Sequence, residues 1–404
     1  MRKLFLIVLV AVLLAASITY ADNIDLNGQM RWRTELNGKD FNSDTGLAWE
    51  SYLRTRINLK FDLEDNVEVF AQMQDSRVFG SPSSGALSSD RDVNLGLHQA
   101  YIKAWDLLKP GLGILGGRYA MKYGNERLFG PVGWSNVGRS FDGFKIFYEN
   151  DNGKVDLFCN TLYENGQPSN YGDRFFWGLY GSSKQYPIDL FFIWNTDKTP
   201  VANDSSKKEL SRVSFGAYSS KWIDNFYYEA TFGYQTGSVH DTVDIAAWMV
   251  QAEARYKVNP DMNLCLAAGA DITSGDDPDT NDKNEAWNEL YPTAHKFRGF
   301  MDFFTGTQQA GLMDIYLRGK IAPSENTLAR LDFHIFNTMQ DYASAVDGKN
   351  TKSVGNELDL TLTCNAVSSS KINFGYSVFM PSEDWLGTGA DNANWFYLQW
   401  LTNF

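Results

Sequence analysis

Apolar and polar residues alternate at every second position over long stretches of this chain. Ile57, Leu59 and Phe61 interleave with Arg56, Asn58 and Lys60, and Leu331, Phe333 and Ile335 with Arg330, Asp332 and His334. Leu358, Leu360 and Leu362 stand opposite Glu357, Asp359 and Thr361, and Gln251, Glu253, Arg255 and Lys257 face away from Ala252, Ala254 and Tyr256. A period of two is the pleat of a β-strand, whose successive side chains point to opposite faces. The last residues, NWFYLQWLTNF, continue it to the very end: Phe396, Leu398, Trp400 and Phe404 share one parity, and Trp395, Tyr397, Gln399 and Asn403 the other.

The pattern predicts eighteen strands. They span 24–36, 49–63, 67–79, 93–108, 112–123, 139–149, 154–164, 173–184, 188–197, 209–221, 226–236, 243–258, 262–274, 310–321, 327–339, 354–367, 371–380 and 393–404. The connectors alternate in length. Short ones such as EDN (64–66), KPG (109–111) and NDNG (150–153) follow long ones such as GSPSSGALSSDRD (80–92). Transmembrane β-strands need about 9–11 residues, and their barrels have short periplasmic turns and longer outer loops. An even strand count leaves both chain ends on the periplasmic side. A soluble sheet with one solvated face shows the same alternation, but neither the strand length nor the alternating connectors. The fold class expected is therefore all-β: a transmembrane antiparallel up-and-down barrel of eighteen strands, one domain over 22–404, working as a monomer in the cell outer membrane.

A charge facing lipid costs about 2–4 kcal/mol at the bilayer midplane, so the apolar parity faces lipid and the charged parity the lumen. That places Arg31, Arg33, Arg54, Arg56, Arg118, Arg139, Arg174, Arg212, Arg255, Arg318 and Arg330 inside, with the acids Glu229, Glu253, Asp314, Asp332, Glu357 and Asp359. Barrels of this strand number leave an aqueous channel. Rings of arginine select anions, and a guanidinium grips a carboxylate as a fork. The same arginines also have the option of pairing with neighbouring acids and merely lining a wet wall. The connectors at 123–138 and 275–309, the latter with its apolar FRGFMDFF, are candidates to fold inward as a constriction.

Composition narrows the picture further. Residues 1–21 begin with Arg2 and Lys3, run apolar from Leu4 to Ala16 and close on Thr19-Tyr20-Ala21, the pattern of a secretory signal peptide. No later apolar run reaches the length of a membrane helix, and mean hydropathy is −0.35. Aromatics make up 15%, with 34 glycines and only 11 prolines, a strand-and-turn composition. Removing Arg2 and Lys3 from 36 basic residues leaves 34 against 49 acidic ones, so the net charge moves from −13 to −15. Such acidity argues against a nucleic-acid partner. Cys159, Cys265 and Cys364 lie far apart inside strand patterns, an odd count that speaks against a disulfide framework.

No cofactor or catalytic motif stands out. GLGILGG (111–117) is continued as strand by Arg118-Tyr119, whereas a nucleotide loop opens a helix. His98, His240, His295 and His334 are scattered, and only His240-Asp241 offers even an adjacent carboxylate. Asp276, Asp277 and Asp279 make a weak calcium candidate in the acidic connector 274–285, which lacks the glycine and terminal glutamate of an EF-hand.

Several stretches resemble the alginate export domain family of outer-membrane barrels: LRTRINLKFDLEDNVEVFAQMQDSRVFG (53–80), LHQAYIKA (97–104), GGRYAMKYGNERLFGPVGWSNVGRSFDGFKI (116–146), ELYPTAHKFRGFMDFF (289–304) and VGNELDLTLT (354–363). The resemblance extends over about residues 50–380. It implies an eighteen-stranded barrel and an arginine-lined conduit for an anionic uronate polysaccharide, with Arg54, Arg56, Arg118 and Arg139 as pore arginines. Tyr119 departs from the family pattern, which usually has Gln there. The aromatic end at Phe404 resembles the signal by which such barrels engage their assembly machinery. The reading is a porin-like passive channel for anionic solutes or oligosaccharides, and not an enzyme. A general porin without anion preference and a barrel-shaped surface adhesin stay open as alternatives.

Overall fold

The computed structural model describes residues 24–80, 95–164, 172–198, 210–239 and 243–404. Residues 1–21, expected as a signal peptide, lie outside them, as do His240 and Asp241. The wall opens with β1 (Ile24–Gly38), β2 (Ala48–Glu64), β3 (Val67–Val78), β4 (Gly96–Ala104), β5 (Leu112–Tyr119) and β6 (Phe141–Asn150). It continues through β7 (Gly153–Tyr163), β8 (Arg174–Ser183), β9 (Asp189–Asp197), β10 (Leu210–Ile223), β11 (Phe226–Val239), β12 (Val243–Asn259) and β13 (Leu264–Thr273). A two-residue β14 (Lys283–Asn284) lies parallel to the top of β12 and is not part of the ring. The ring resumes with β15 (Leu312–Ser324), β16 (Thr327–Ala343), β17 (Asn350–Val367), β18 (Ser370–Pro381) and β19 (Ala393–Asn403).

Eighteen strands thus form a closed antiparallel barrel, each pairing with its sequence neighbour. β19 closes on β1 from Gln29↔Asn403 to Gly38↔Asn394. Phe404 ends the seam: its N–H donates to the Gly28 carbonyl at 3.0 Å and its carbonyl accepts from Gly28 N–H at 2.7 Å. The parity reading holds along this strand, where Leu398 and Trp400 are exposed outward while Trp395, Tyr397 and Gln399 are buried inward. Inward Trp395 donates its indole N–H to the Glu35 carboxylate at 3.0 Å.

The wall is uneven. β17 has 18 residues and β12 has 17, whereas β5 has 8 and β4 has 9. The expected strand 112–123 ends at Tyr119 because residues from 120 onward leave the wall and enter the lumen. The expected strand at 139–149 begins only at Phe141, so Arg139 belongs to the same inward loop.

The interior differs from a plain aqueous channel. The connectors 120–140 and 285–311 both fold into the barrel and pack against its inner face. One apolar cluster gathers Phe129, Leu128, Met121, Trp287 and Leu290 from these loops with Phe158, Phe176, Tyr180 and Ile193 of the short-stranded side. A second joins Met301 and Phe304 to Phe336, Phe379, Trp395 and Tyr397. The driving force is ordinary burial, about 25 cal/mol per Å² of apolar surface. The inner faces of β8 and β9 are largely apolar, with Phe176, Tyr180, Phe191 and Ile193, and need a cover.

Candidate functional site: the lumenal constriction

The two inward loops are stitched into one body. Phe129 and Tyr291 form a parallel bridge, with Tyr291 N–H donating to Leu128 O at 2.9 Å and Gly130 N–H to Tyr291 O at 2.9 Å. Thr293 N–H donates to Glu126 O at 2.9 Å, and the Arg139 guanidinium reaches Pro292 O at 3.0 Å. Gly130 has to be glycine, since a Cβ there would sit 2.0 Å from Thr293 Oγ1. Burial opposes the charge of Glu126, but the hydrogen bond from Thr293 and the Lys296 and Lys122 ammoniums outweigh it and hold its carboxyl below the ordinary value. For Glu289 burial wins: its carboxyl is pushed up although Arg298 lies 2.6 Å away. Phe129, fully buried, packs within 6.0 Å of the rings of Tyr123, Phe158, Phe176 and Tyr291. Phe129→Ala should therefore cost about 3–5 kcal/mol of loop attachment. Amide exchange should accelerate across 120–131 while the wall strands keep their protection.

One wall of the constriction is basic. Arg31 on β1 and Arg54 on β2 stand directly opposite each other, with Arg33 and Arg56 above and below. Five successive loop carbonyls turn toward this wall. Gly133 O accepts from Arg31 at 2.8 Å and Arg54 at 3.0 Å. Trp134 O accepts from Arg31 at 2.8 Å and Arg33 at 2.7 Å, and Ser135 O from Arg31 at 3.0 Å and Arg54 at 2.8 Å. Asn136 O takes Ser76 Oγ at 2.7 Å, and Val137 O takes Gln74 Nε2 at 2.7 Å. Arg56 donates to Gln74 Oε1 at 2.6 Å and lies 3.1 Å from His98 Nε2. Arg54 and Arg56, expected as pore arginines, hold a loop and its neighbours.

The opposite wall mixes charges in layers. Arg318 on β15 bridges Glu253 at 2.6 Å and Asp332 at 3.0 Å. Arg330 pairs with Asp332, and Arg255 with Glu253. The acids lie at the back: Glu253 and Asp332 side chains are 2% and 1% exposed, against 34% for Arg255, 27% for Arg330 and 16% for Arg318. Deeper still, Asp271 of β13 takes Arg127 from one loop and Arg298 from the other, the latter at 2.7 Å. On β17, Glu357 accepts Met301 N–H at 2.8 Å and Asp359 accepts Phe300 N–H at 3.3 Å.

A column of stacked groups joins the two walls. The Arg33 guanidinium sits 3.9 Å from the Trp134 ring. Trp134 stacks on His295 at 4.1 Å and 9°. His295 stacks on Phe300 at 5.1 Å, and Arg330 lies 4.9 Å from Phe300. Asp302 fixes the His295 ring through Nδ1 at 2.9 Å. Beside this column a cavity of about 310 Å³ is lined by Arg127, Arg255, Lys296, Arg318, Arg330 and Glu229, among others.

The remaining expected residues fall elsewhere. Arg118 shares the parity of outward Ile114, and its half-exposed guanidinium takes the Asp142 carboxylate at 2.6 and 2.7 Å at the edge of a cavity that it lines with His98 and Arg139. Inward at that level is Tyr119, fully buried. Arg174 lies at the outer end of β8, 3.1 Å from Asp197. Arg212 is inward on β10, and its Nε lacks a hydrogen-bond partner. Carboxylates of the acidic connector turn to backbone amides. Asp276 accepts Glu285 N–H at 2.7 Å and Asp277 accepts Asp279 N–H at 2.9 Å, and among the described residues no cluster of metal-binding side chains occurs. The sequence pattern did not single out Arg127, Arg298, Lys296 and Trp134, and it gave His295 only as one of four scattered histidines. Their signal was position: all sit in the two long connectors singled out as inward candidates.

The family model described as Alginate export matches residues 22–393. The chain belongs to the Alginate export family. The match runs past both ends of the 50–380 region in which the resemblance is visible by eye. No functionally curated protein matches this sequence. Among solved structures, the Alginate export barrel is similar to OccK9 (OpdG) of Pseudomonas aeruginosa, with TM-score 0.61 and 9% identity over 94% of this chain and 98% of that one. OccK3 (OpdO) of the same organism gives 0.59 and 12% over 94% and 96%. OccAB3 of Acinetobacter baumannii gives 0.60 and 10% over 94% and 99%. At such identities these structures show the shared fold alone. Family and barrel together place this Alginate export protein in the cell outer membrane as a channel, with lipid against its outward face.

Proposed function

We propose that this barrel passes anionic solutes, carboxylate-bearing oligosaccharides among them, by passive diffusion and without catalysis. The layering of the mixed wall carries the reading. A solute in the cavity meets the guanidiniums of Arg255, Arg318 and Arg330 and the 45%-exposed Lys296, while the acids that balance them are buried behind. The basic wall of Arg31, Arg33, Arg54 and Arg56 lies across the lumen beneath the 133–135 loop, and among the described residues only Arg33 there pairs with a carboxylate, Glu35, at 2.7 Å. Preorganised cations in a narrow, low-dielectric passage favour anions well beyond what the chain's net charge suggests.

The test is the reversal potential of single channels in a planar bilayer under a potassium chloride gradient. Chloride preference is expected, growing as ionic strength falls and screening weakens. A cation preference, or the absence of any conductance, sinks the proposal.

A further inference from the structure

We infer that Arg31 and Arg54 form an oxyanion-binding site that the loop backbone at 133–135 occupies in the closed channel. A carboxylate-bearing solute opens the channel by displacing that backbone. The inference rests on reading the barrel as an anion channel.

Arg31 and Arg54 are cross-strand partners, a like-charge pair that is unfavourable on its own. Both are almost fully buried, at 2% and 3% exposure. Buried guanidiniums ordinarily find carboxylates, as Arg127, Arg298 and Arg318 do on the opposite wall. These two form no ion pair among the described residues. The neighbouring acid, Glu35, is committed to Arg33 and to the Trp395 indole. Their bonds go instead to the neutral oxygens of Gly133, Trp134 and Ser135 and to the amide of Gln29. The Nε of each is buried without any partner. Two cations with open donor positions, held by neutral acceptors, make a site whose electrostatic complement is an anion.

Exchange follows from bond strength. Hydrogen bonds between a guanidinium and a carboxylate are roughly twice as strong as those to a neutral acceptor, and the two-pronged fork fits a carboxylate. The loop is poised to leave, since Val132, a β-branched residue, is held at φ 51° at its start. Release has a direct structural consequence. Trp134 sits between Arg33 and His295, so moving the 133–135 backbone off the wall takes the central ring out of the stacked column.

The experiment compares glucuronate with glucose at matched ionic strength, recording single channels and amide exchange of the wild-type protein. Glucuronate should raise the ratio of open to closed time by about tenfold and saturably, within the usual range of coupling between sites. It should also speed exchange across 132–139, and glucose should do neither. The R31Q/R54Q double variant should be open with or without glucuronate, its ratio of open to closed time no longer responding to the sugar. An anion-selective wild type that gates and exchanges identically in both sugars overturns the inference and leaves the channel reading intact. A wild type without anion preference overturns the reading as an anion channel. The wild-type exchange measurement decides the matter even where the double variant fails to fold.

Discussion

Asp271→Ala should unlock the constriction while leaving the barrel standing. Asp271 is 1% exposed on β13, and its carboxylate holds Arg127 of one inward loop and Arg298 of the other. Arg298 keeps a second partner, Glu289, at 2.6 Å. Arg127 forms no other ion pair among the described residues and would be left as a buried charge against the Phe297 ring. Breaking a buried pair from one side costs about 3–5 kcal/mol. At 1.4 kcal/mol per decade, that moves the balance of docked and undocked loops by about two to four orders of magnitude. The expected result is a channel of higher conductance, with fast amide exchange in 120–140 and 285–311 and unchanged protection in β1–β3 and β15–β19. Asp271→Asn, which keeps the shape without the charge, should fall between. Wild-type conductance and exchange in Asp271→Ala would mean that the loops are held by their apolar clusters alone.

The second large effect is on selectivity. Replacing Arg255, Arg318 and Arg330 together by Gln should turn the channel toward cations. The three guanidiniums stand between the solute and Glu253 and Asp332, and Arg318 touches both acids. Without them Glu253 keeps the Tyr316 hydroxyl at 2.8 Å and Asp332 loses its guanidinium partners. A unit charge about 4 Å from an ion contributes about 1 kcal/mol in water and about 4 kcal/mol at an effective dielectric of 20. Three charges removed should therefore change the chloride-to-potassium permeability ratio by more than about tenfold and reverse the sign of the reversal potential. Lys296→Gln should do much less, since its ammonium is well exposed and screened. A triple variant that keeps the wild-type reversal potential would move the selectivity filter away from this wall.

Much of this was legible from alternation alone, because lipid forbids charge on one parity and so makes the register readable. Arg31, Arg33, Arg255, Arg318 and Arg330, with Glu253, Asp332 and Glu357, all point inward as the pattern predicts. Arg118 went the other way for a local reason. It follows Gly116 and Gly117, which carry no side chain to reveal parity, and Gly117 sits at φ 130°. The filled lumen left a trace that strand counting passes over. On β8 and β9 both parities are apolar: Trp177, Leu179 and Phe192 face lipid while Phe176, Phe191 and Ile193 face inward. An inward apolar face in a water-filled barrel makes sense only with something packed on it. What no pattern encodes is that Arg127 and Arg298 both choose Asp271, since that depends on loops crossing the lumen from distant parts of the chain.

The seam at Phe404 bears on time as well as on shape. Gln29 and Asn403, joined at 3.1 Å, lie 374 positions apart, whereas the rest of the ring joins consecutive wall strands. Contacts of such separation form slowly. Unsealed along this seam, the sheet would present raw edges at β1 and β19, and raw edges recruit strangers. Clipping the last few residues would leave every pore side chain in place yet lengthen the interval in which the sheet stays unsealed. The damage would show in the yield of intact barrels, and those that did close would conduct as before.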